Sequence, residues 1–421
     1  MARGAARPRP SGNRRVGTLV EAKPSAWTVH ARSRHPGGWT AIRRASGTGA
    51  FGEGRCRMVT TVVEQSRFDQ AKAEAFSGQL LDTLNSGALC LMMSIGHRTG
   101  IFDVLRGQAP STSEQIAKEA GLNERYVREW LGAMVTAGVV DVDPTSTRYA
   151  LPAEHAAFLT RAAGADNLAV FTQYIGMLGV VEDEIVECFK RGGGVPYERF
   201  LRFHAVMAED SGQSVLSSLE THVLPLVPGL TDRLAQGIQV LDVGCGSGRV
   251  MNRLAELYPN SRFTGIDLSP EAIHGAREEA IQKGLENIDF LARDLSDFDR
   301  TSLPESFDFI TTFDAVHDQA RPLNVLKGIH QSLKAKGVYL MQDIRGSSYV
   351  SNNVGHPIGT FLYAISTMHC MTVSLAQGGE GLGAMWGEEK TREYLQKAGF
   401  RSIETHQLAH DIQNNWYVVR K

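Results

Sequence analysis

The stretch Val240-Leu241-Asp242-Val243-Gly244-Cys245-Gly246-Ser247-Gly248 decides the fold of this chain, because an apolar run leads directly into three closely spaced glycines. Such a run predicts a buried β-strand, and the glycines predict a tight turn into a helix. Glycines at that turn let the backbone approach a ligand closely, and the helix N-terminus favours a negative group. The motif therefore predicts a ligand-binding turn of the kind that several nucleotide-binding folds share.

The spacing of the glycines excludes two common nucleotide loops. A dinucleotide site needs a third glycine at the sixth position counted from Gly244, and the chain has Arg249 there. A phosphate loop needs a lysine followed by serine or threonine, which this stretch also lacks. The spacing therefore disfavours a nicotinamide oxidoreductase.

From Gly237 onward, predicted strands alternate with helical stretches. The predicted strands are Ile238–Val243, Arg262–Ile266, Ile288–Leu291, Phe307–Thr311, Gly337–Met341, Ser402–His406 and Trp416–Val419. Alternation of this kind predicts a parallel sheet covered by helices on both faces. A short connection joins the last two strands, which predicts an antiparallel edge. The expected fold class is α/β, with a doubly wound seven-stranded sheet that is parallel apart from an antiparallel edge strand.

Aspartates follow two of the predicted strands. Asp267 ends the second strand and Asp294 follows the third. Because the carboxyl ends of parallel strands meet at one edge of a sheet, both should lie beside the glycine loop. A carboxylate in the position of Asp267 can accept two hydrogen bonds from a ribose diol, and Asp294 is placed to accept one from an adenine amino group. Either aspartate alone could simply cap a helix, but together with the glycine loop they form a more specific set.

The N-terminal half predicts a winged helix. The signals are a long helical pattern over Phe68–Leu105, a helix over Glu114–Ala120 capped by Ser113, a helix over Glu124–Ala137 capped by Asn123, and short strands at Val139–Val140 and Tyr149–Leu151. A DNA-binding role would use Glu124–Ala137 as the recognition helix. Its Arg125 and Arg128 are cancelled by Glu124 and Glu129, which favours a structural or dimerising role.

Charge is distributed unevenly along the 421 residues. Residues 1–57 contain eleven Arg and one Lys against two Glu, a net of +10, so the rest of the chain has a net charge of −12. An acidic body repels phosphate backbones, which makes nucleic acid an unlikely partner. The basic segment should be disordered. It is similar to a mitochondrial transit peptide, but Pro8, Pro10 and Pro24 would interrupt the import helix, and Met58 is an alternative start.

The spacing of the cysteines and the hydropathy of the chain indicate the cellular compartment of the protein. The five cysteines are widely spaced without a C-x-x-C pair: Cys56, Cys90, Cys188, Cys245 and Cys370. This usage favours a reducing compartment, so we expect a cytoplasmic protein, and it offers no metal site. The longest nearly apolar run, Leu168–Val181, is too short to cross a bilayer, so no membrane segment is expected.

Over residues 236–421 the sequence resembles the class I S-adenosylmethionine-dependent methyltransferases. The resemblance implies that Asp242–Gly248 holds the methionine portion of S-adenosyl-L-methionine, that Asp267 binds its ribose, and that Asp294 contacts its adenine. The cofactor-binding candidates are Asp242, Gly244, Cys245, Gly246, Gly248, Asp267, Leu268, Asp294, Leu295 and Phe313.

The N-terminal half resembles the winged-helix dimerisation domain of small-molecule O-methyltransferases of the plant caffeate and bacterial natural-product type. This resemblance implies a homodimer. The expected organisation is a disordered basic extension at 1–57, a winged-helix-like dimerisation domain at 58–160, a helical connector that lines the pocket at 161–236, and an S-adenosylmethionine-binding methyltransferase domain at 237–421.

The expected chemistry is methyl transfer to a small-molecule acceptor through oxygen, with nitrogen as an alternative. In the resembling enzymes a His-Asp pair follows the fourth strand and its histidine is the base; His317-Asp318 matches that pair, although Gln319 stands where a tryptophan often follows. The competing interpretation has His317 merely capping or packing the next helix. The segment Tyr349–Trp386 should form a partly helical lid, and His204 is a second candidate residue. A non-catalytic, S-adenosylmethionine-sensing DNA-binding regulator is the alternative function.

Overall fold

The structure is a computed structural model that describes residues 68–421, and Asp69–Lys421 form one compact unit. The expected disordered extension at 1–57 lies outside the described residues. Among residues 68–421, no helix is both long enough and apolar enough to cross a membrane.

The N-terminal part is a winged helix. Its elements are α1 (Gln70–Thr99), α2 (Ile101–Leu105), α3 (Ser113–Ala120), α4 (Glu124–Thr136), β1 (Asp141–Asp143), β2 (Arg148–Ala150) and α5 (Ala153–Leu159). Strands β1 and β2 pair antiparallel as the wing. Phe102 and Trp130 meet edge to face at 5.2 Å in the core of this part.

Two local predictions in the winged helix were wrong. Helix α3 is capped by Thr112, which forms a reciprocal capping box with Gln115, because Ser113 is already helical. The first wing strand is Asp141–Asp143 instead of Val139–Val140. Both valines are buried in the core, and their backbone N–H groups donate to the carbonyl of Met134 at the end of α4.

Helical segments join the winged helix to the sheet. The helices are α6 (Thr172–Leu178), α7 (Glu182–Arg191), α8 (Phe203–Ser211) and α9 (Leu230–Gln236), with short 3-10 and π-helical segments between them. The segment Gly192-Gly193-Gly194 is held in place, because the backbone N–H of Val195 donates to Thr372 Oγ1 at 2.7 Å and Gly194 packs against the backbone of Thr372.

The C-terminal part is an α/β sandwich around a seven-stranded sheet. The strands are β3 (Gln239–Val243), β4 (Arg262–Asp267), β5 (Ile288–Ala292), β6 (Phe307–Phe313), β7 (Leu333–Ile344), β8 (Ser402–His406) and β9 (Asn414–Arg420). The helices are α10 (Arg249–Leu257), α11 (Pro270–Gln282), α12 (Phe298–Thr301), α13 (Pro322–Ser332), α14 (Gly359–Ile365), α15 (Met371–Ala376) and α16 (Gly387–Ala398).

The strand order is β5-β4-β3-β6-β7-β9-β8, which confirms the expected doubly wound fold. The five strands from β5 to β7 are parallel, and β9 is antiparallel to both of its neighbours. The reversed strand therefore lies one position inside the edge strand β8. Successive residues of β3 point to opposite faces, so Val240 packs in one core cluster and Leu241 in the other.

Candidate active site

A cavity of about 580 Å³ lies at the carboxyl ends of β3, β4 and β6, where the strand order reverses. Ligands of doubly wound sheets bind at this place, and a volume of this size suits a small organic molecule. The predicted site residues that line it are Asp242, Gly244, Cys245, Gly246, Asp267, Leu268, Leu295, Phe313, His317 and Asp318. Residues of α8 and of the segment from α14 to α15 close its other side.

Two glycines of the loop lie so close to neighbouring side chains that no Cβ atom would fit. Gly244 has a φ of 79°, and a Cβ there would lie 2.5 Å from the Cβ of Ala315. Gly248 has a φ of 66°, and its Cβ would lie 2.5 Å from the ring of Phe290. Gly244 therefore lets the loop meet the turn after β6, whereas Gly248 serves packing against β5 and does not line the cavity.

Asp267 joins the glycine loop to the end of β4. One carboxylate oxygen accepts from the backbone N–H of Gly246 at 2.8 Å, and the other accepts from that of Ser269 at 2.9 Å. Each carboxylate oxygen keeps a further lone pair free. The side chain can therefore still accept hydrogen bonds from a ligand diol.

Asp242 lies at the buried floor of the same cavity. It is 2% exposed, and its Oδ1 accepts from Thr311 Oγ1 at 2.7 Å. Burial raises the pKa of this carboxyl to about 7, because the surroundings disfavour the charged form. A bound cation would offset this cost of burial, so the position suits the ammonium of an amino acid.

The structure separates Asp294 from the other candidates. Its side chain is exposed, accepts from the backbone N–H of Ser296 at 2.8 Å, and does not line the cavity. Its neighbour Leu295 is buried and does line the cavity. An apolar contact from Leu295 is therefore available to a ligand ring, while Asp294 makes a local turn.

His317 is buried at the edge of the cavity and is held by Asp343, which lies outside the predicted strands. Its Nδ1 lies 2.9 Å from Oδ1 of Asp343, at the end of β7. The same oxygen accepts from Trp386 Nε1 at 3.0 Å and from the backbone N–H of Ile344 at 2.8 Å. The only sequence signal was an acid beyond a strand end, but the predicted strand stopped at Met341, before Asp343.

The sequence neighbour Asp318 is not the hydrogen-bond partner of His317. It lines the cavity, and burial raises its pKa to about 6 against the opposing charge of His317. Asp314, with a φ of 55°, places its Oδ1 3.7 Å from His317 Nδ1. The expected pairing is therefore replaced by His317–Asp343. His317 is also not the cap of α13, because Arg321 is the N-cap residue of that helix.

Asp343 raises the pKa of His317. Burial alone lowers the pKa of the imidazole, but the negative charge of Asp343 and the adjacent Cys370 outweigh it, so the pKa lies well above its ordinary value. Asp314, His317 and Asp343 are also spaced closely enough to hold a cation. Asp343 Oδ1 already accepts hydrogen bonds from three N–H donors, one of them His317 Nδ1. We therefore interpret the contacts of Asp343 as orienting the imidazole and not as binding a cation.

The segment expected to be a lid is largely helical and closely packed. Within it, His369 lines the cavity, whereas Phe361, Tyr363, Met368, Met371 and Trp386 do not. His204 also lines the cavity. Two of its glycines are closely packed: a Cβ at Gly379 would meet the backbone of Ser374, and one at Gly381 would meet Leu375. These contacts disfavour a hinge there.

The sheet topology and the glycine loop are those of a class I S-adenosylmethionine-dependent methyltransferase fold, which here follows an N-terminal winged helix. Residues 87–161 match the family described as Rv2258c-like winged HTH domain, and residues 234–399 match the family described as methyltransferase domain.

Particular relatives support this assignment. A ubiquinone biosynthesis O-methyltransferase of Actinobacillus pleuropneumoniae serotype 7 (strain AP76) is 33% identical over 111 residues, which are 26% of this chain and 46% of the relative. The chain thus spans about half the length of that relative. A structure from Nostoc punctiforme PCC 73102 described as an O-methyltransferase has a TM-score of 0.62 at 18% identity, covering 82% of this chain and 98% of that one. Human N-acetylserotonin methyltransferase in complex with S-adenosylmethionine has a TM-score of 0.58 at 20% identity, covering 85% and 99%.

Proposed function

We propose that this protein transfers a methyl group from S-adenosyl-L-methionine to an oxygen atom of a small-molecule acceptor, with His317 as the general base. The observation that carries the proposal is that His317, held by Asp343, lines the same cavity as the glycine loop and Asp267. A base and a cofactor-binding loop that line one cavity are what such a transfer requires.

The residues present fit the cofactor. Asp267 retains acceptor capacity for the ribose diol, and Asp242 offers a buried carboxylate to the ammonium. Leu295 and Phe313 provide apolar surface for the adenine. Cys245, Gly246 and Leu268 complete the cofactor end of the cavity. When bound, S-adenosylmethionine supplies an electrophilic methyl group that needs no further activation.

His317 and Asp343 have different roles in removing the proton of the acceptor. The hydrogen bond to Asp343 fixes the proton of the neutral imidazole on Nδ1, so Nε2 is the nitrogen that accepts the hydroxyl proton of the acceptor. The imidazolium that results is stabilised by the Asp343 carboxylate, which is why a raised pKa of His317 serves this role. His317 therefore takes up the proton, while Asp343 keeps the imidazole in place and balances its charge.

The alternative, a non-catalytic DNA-binding regulator, is disfavoured by the surface of α4. Arg125 pairs with Glu129, and Arg128 pairs with Glu124, each one helical turn apart. These ion pairs neutralise the arginines that would have to contact phosphates.

We further propose a homodimer formed through α1. Five apolar side chains on this helix recur at helical spacing, and each is 44–70% exposed: Phe76, Leu80, Leu84, Leu91 and Ile95. A continuous apolar stripe of this kind marks an interface, and a second copy offers an equal stripe. Leu84→Glu should therefore yield a monomer by light scattering. Leu303→Glu, which introduces a charge at a similarly exposed leucine elsewhere, should leave the dimer intact; a wild-type monomer would refute the proposal.

We propose the cytoplasm as the compartment. In the part of the chain that the structure describes, Cys90, Cys188, Cys245 and Cys370 are free thiols, as is usual in a reducing compartment. The division of the chain into winged-helix, connector and methyltransferase parts at residues 160 and 236 is likewise a proposal, and limited proteolysis would test it.

The deciding experiment is calorimetric titration with S-adenosylmethionine, its demethylated product and NAD. We expect the first two to bind and NAD not to bind. If NAD bound and S-adenosylmethionine did not, the proposed function would be wrong. Methylation of paired phenol and aniline probes would then distinguish an oxygen acceptor from a nitrogen acceptor.

A further inference from the structure

His369 is a buried polar residue that the proposed mechanism does not use. It lies in the π-helical turn Ser366–Cys370 between α14 and α15, is 0% exposed, and lines the cavity. Neither Nδ1 nor Nε2 has a hydrogen-bond partner among residues 68–421. Leaving a buried donor and a buried acceptor unpaired costs stability, so this arrangement requires an explanation.

Aromatic side chains hold the imidazole ring of His369 in a fixed plane. Phe203 stacks on it with a centroid distance of 3.6 Å and an interplanar angle of 8°. Phe200 and Tyr197 contact it edge to face at 4.7 and 5.4 Å. All three aromatic residues also line the cavity. The result is an aromatic wall with one oriented hydrogen-bonding ring in it.

Burial favours the neutral form of the His369 ring. Burial lowers its pKa well below the ordinary value, and the nearby charges of His317 and His204 lower it further. A neutral imidazole offers one N–H donor and one nitrogen acceptor. It therefore suits a hydroxyl or carbonyl group and not a charged group.

We propose that His369 is a specificity-determining residue that hydrogen-bonds a second, neutral polar group of a planar aromatic acceptor, while another hydroxyl of that acceptor faces His317. This inference rests on the proposed function. It specifies the acceptor as a ring system with at least two polar substituents and explains why an unpaired histidine remains in an aromatic wall. The π-turn agrees with this role, since such turns are frequent at functional sites.

The first test uses stability. His369→Phe keeps a flat ring against Phe203 but removes both nitrogens, so its Tm should equal or exceed that of the wild type, because two unpaired polar atoms are lost. A Tm several degrees below wild type that His369→Gln restored would show that the nitrogens serve the structure and would overturn the proposal, because the larger phenyl ring can lower Tm by overpacking alone. His330→Phe makes the same chemical change on α13, outside the cavity, and is the control.

The second test uses acceptor probes. Dihydroxynaphthalene isomers and 2-naphthol are titrated into enzyme saturated with the demethylated cofactor. In the wild type and in His330→Phe, at least one diol should bind about ten-fold more tightly than 2-naphthol, the gain expected of one buried hydrogen bond. His369→Phe should abolish that preference, and His369→Gln, whose amide keeps a donor and an acceptor, should recover part of it.

The outcomes separate this inference from the proposed function. If no diol bound more tightly than 2-naphthol to the wild type, or if the preference survived in His369→Phe, the role of His369 would be refuted. Loss of S-adenosylmethionine binding in the same preparations would instead refute the proposed function. Normal cofactor binding without a diol preference refutes the inference alone.

Discussion

Replacing Asp343 by asparagine isolates the charge that supports His317. Asp343 Oδ1 accepts from Trp386 Nε1 and from the backbone N–H of Ile344 as well as facing His317 Nδ1. In Asp343→Asn the two other donors require the amide oxygen, and not the amide nitrogen, at that position. The orientation of the imidazole and its Nδ1 proton should therefore remain, and only the negative charge is lost.

The expected loss of turnover follows from one charged hydrogen bond. Such bonds contribute about 1.5–3 kcal/mol, and each 1.36 kcal/mol corresponds to about ten-fold in rate, so kcat should fall about 10- to 150-fold. The pKa of His317 should also fall, because the carboxylate that raises it is gone. Since the base works only when unprotonated, the rise of kcat with pH should move to lower pH than in the wild type.

The assay is release of the demethylated cofactor with the best dihydroxynaphthalene as acceptor, measured across pH, with S-adenosylmethionine affinity measured by calorimetry. Asp411→Asn is the matched control. Asp411 is also buried and also accepts from a tryptophan, Trp416 Nε1 at 3.0 Å, but it does not line the cavity. It should lower Tm while sparing the kcat of the folded enzyme. An unchanged kcat and pH profile in Asp343→Asn would refute the role assigned to His317–Asp343.

Two further predictions concern the cofactor and the winged helix. Asp267→Ala should weaken S-adenosylmethionine binding by about 1.5–3 kcal/mol in calorimetry, because a charged acceptor is lost, whereas Asp294→Ala should change it little; equal losses would contradict the placement of Asp294 outside the cavity. Hydrogen bonding to His97 holds the pKa of Glu209 down to about 2, so the stability it provides is present above the unfolded pKa of about 4.3 and is lost as pH falls from there toward 2. Glu209→Gln should therefore lower Tm at neutral pH and flatten the decline of Tm over that acidic range, and a slope equal to that of the wild type would refute the assignment.

The sequence by itself determined the sheet and one end of the site. The apolar run into Gly244 and the alternation after it give the strands, because burial on both faces imposes local hydrophobic patterns. Asp267 was identifiable because it directly follows a strand whose end the pattern marks. The same rule placed Asp294 at the site, but its strand β5 lies at the edge of the sheet, and the Asp294 side chain is exposed outside the cavity.

Only the tertiary structure decided the partners of His317. Asp343 is 26 positions away in the sequence, and it reaches His317 because β6 and β7 pair side by side in the sheet. Asp318, adjacent in sequence, lies on the same turn but makes no hydrogen bond to the imidazole. Likewise, His369 meets Phe203 across two parts of the chain that no local pattern connects. Sequence periodicity records which face of an element is buried, whereas contacts between elements depend on register and packing, which it does not encode.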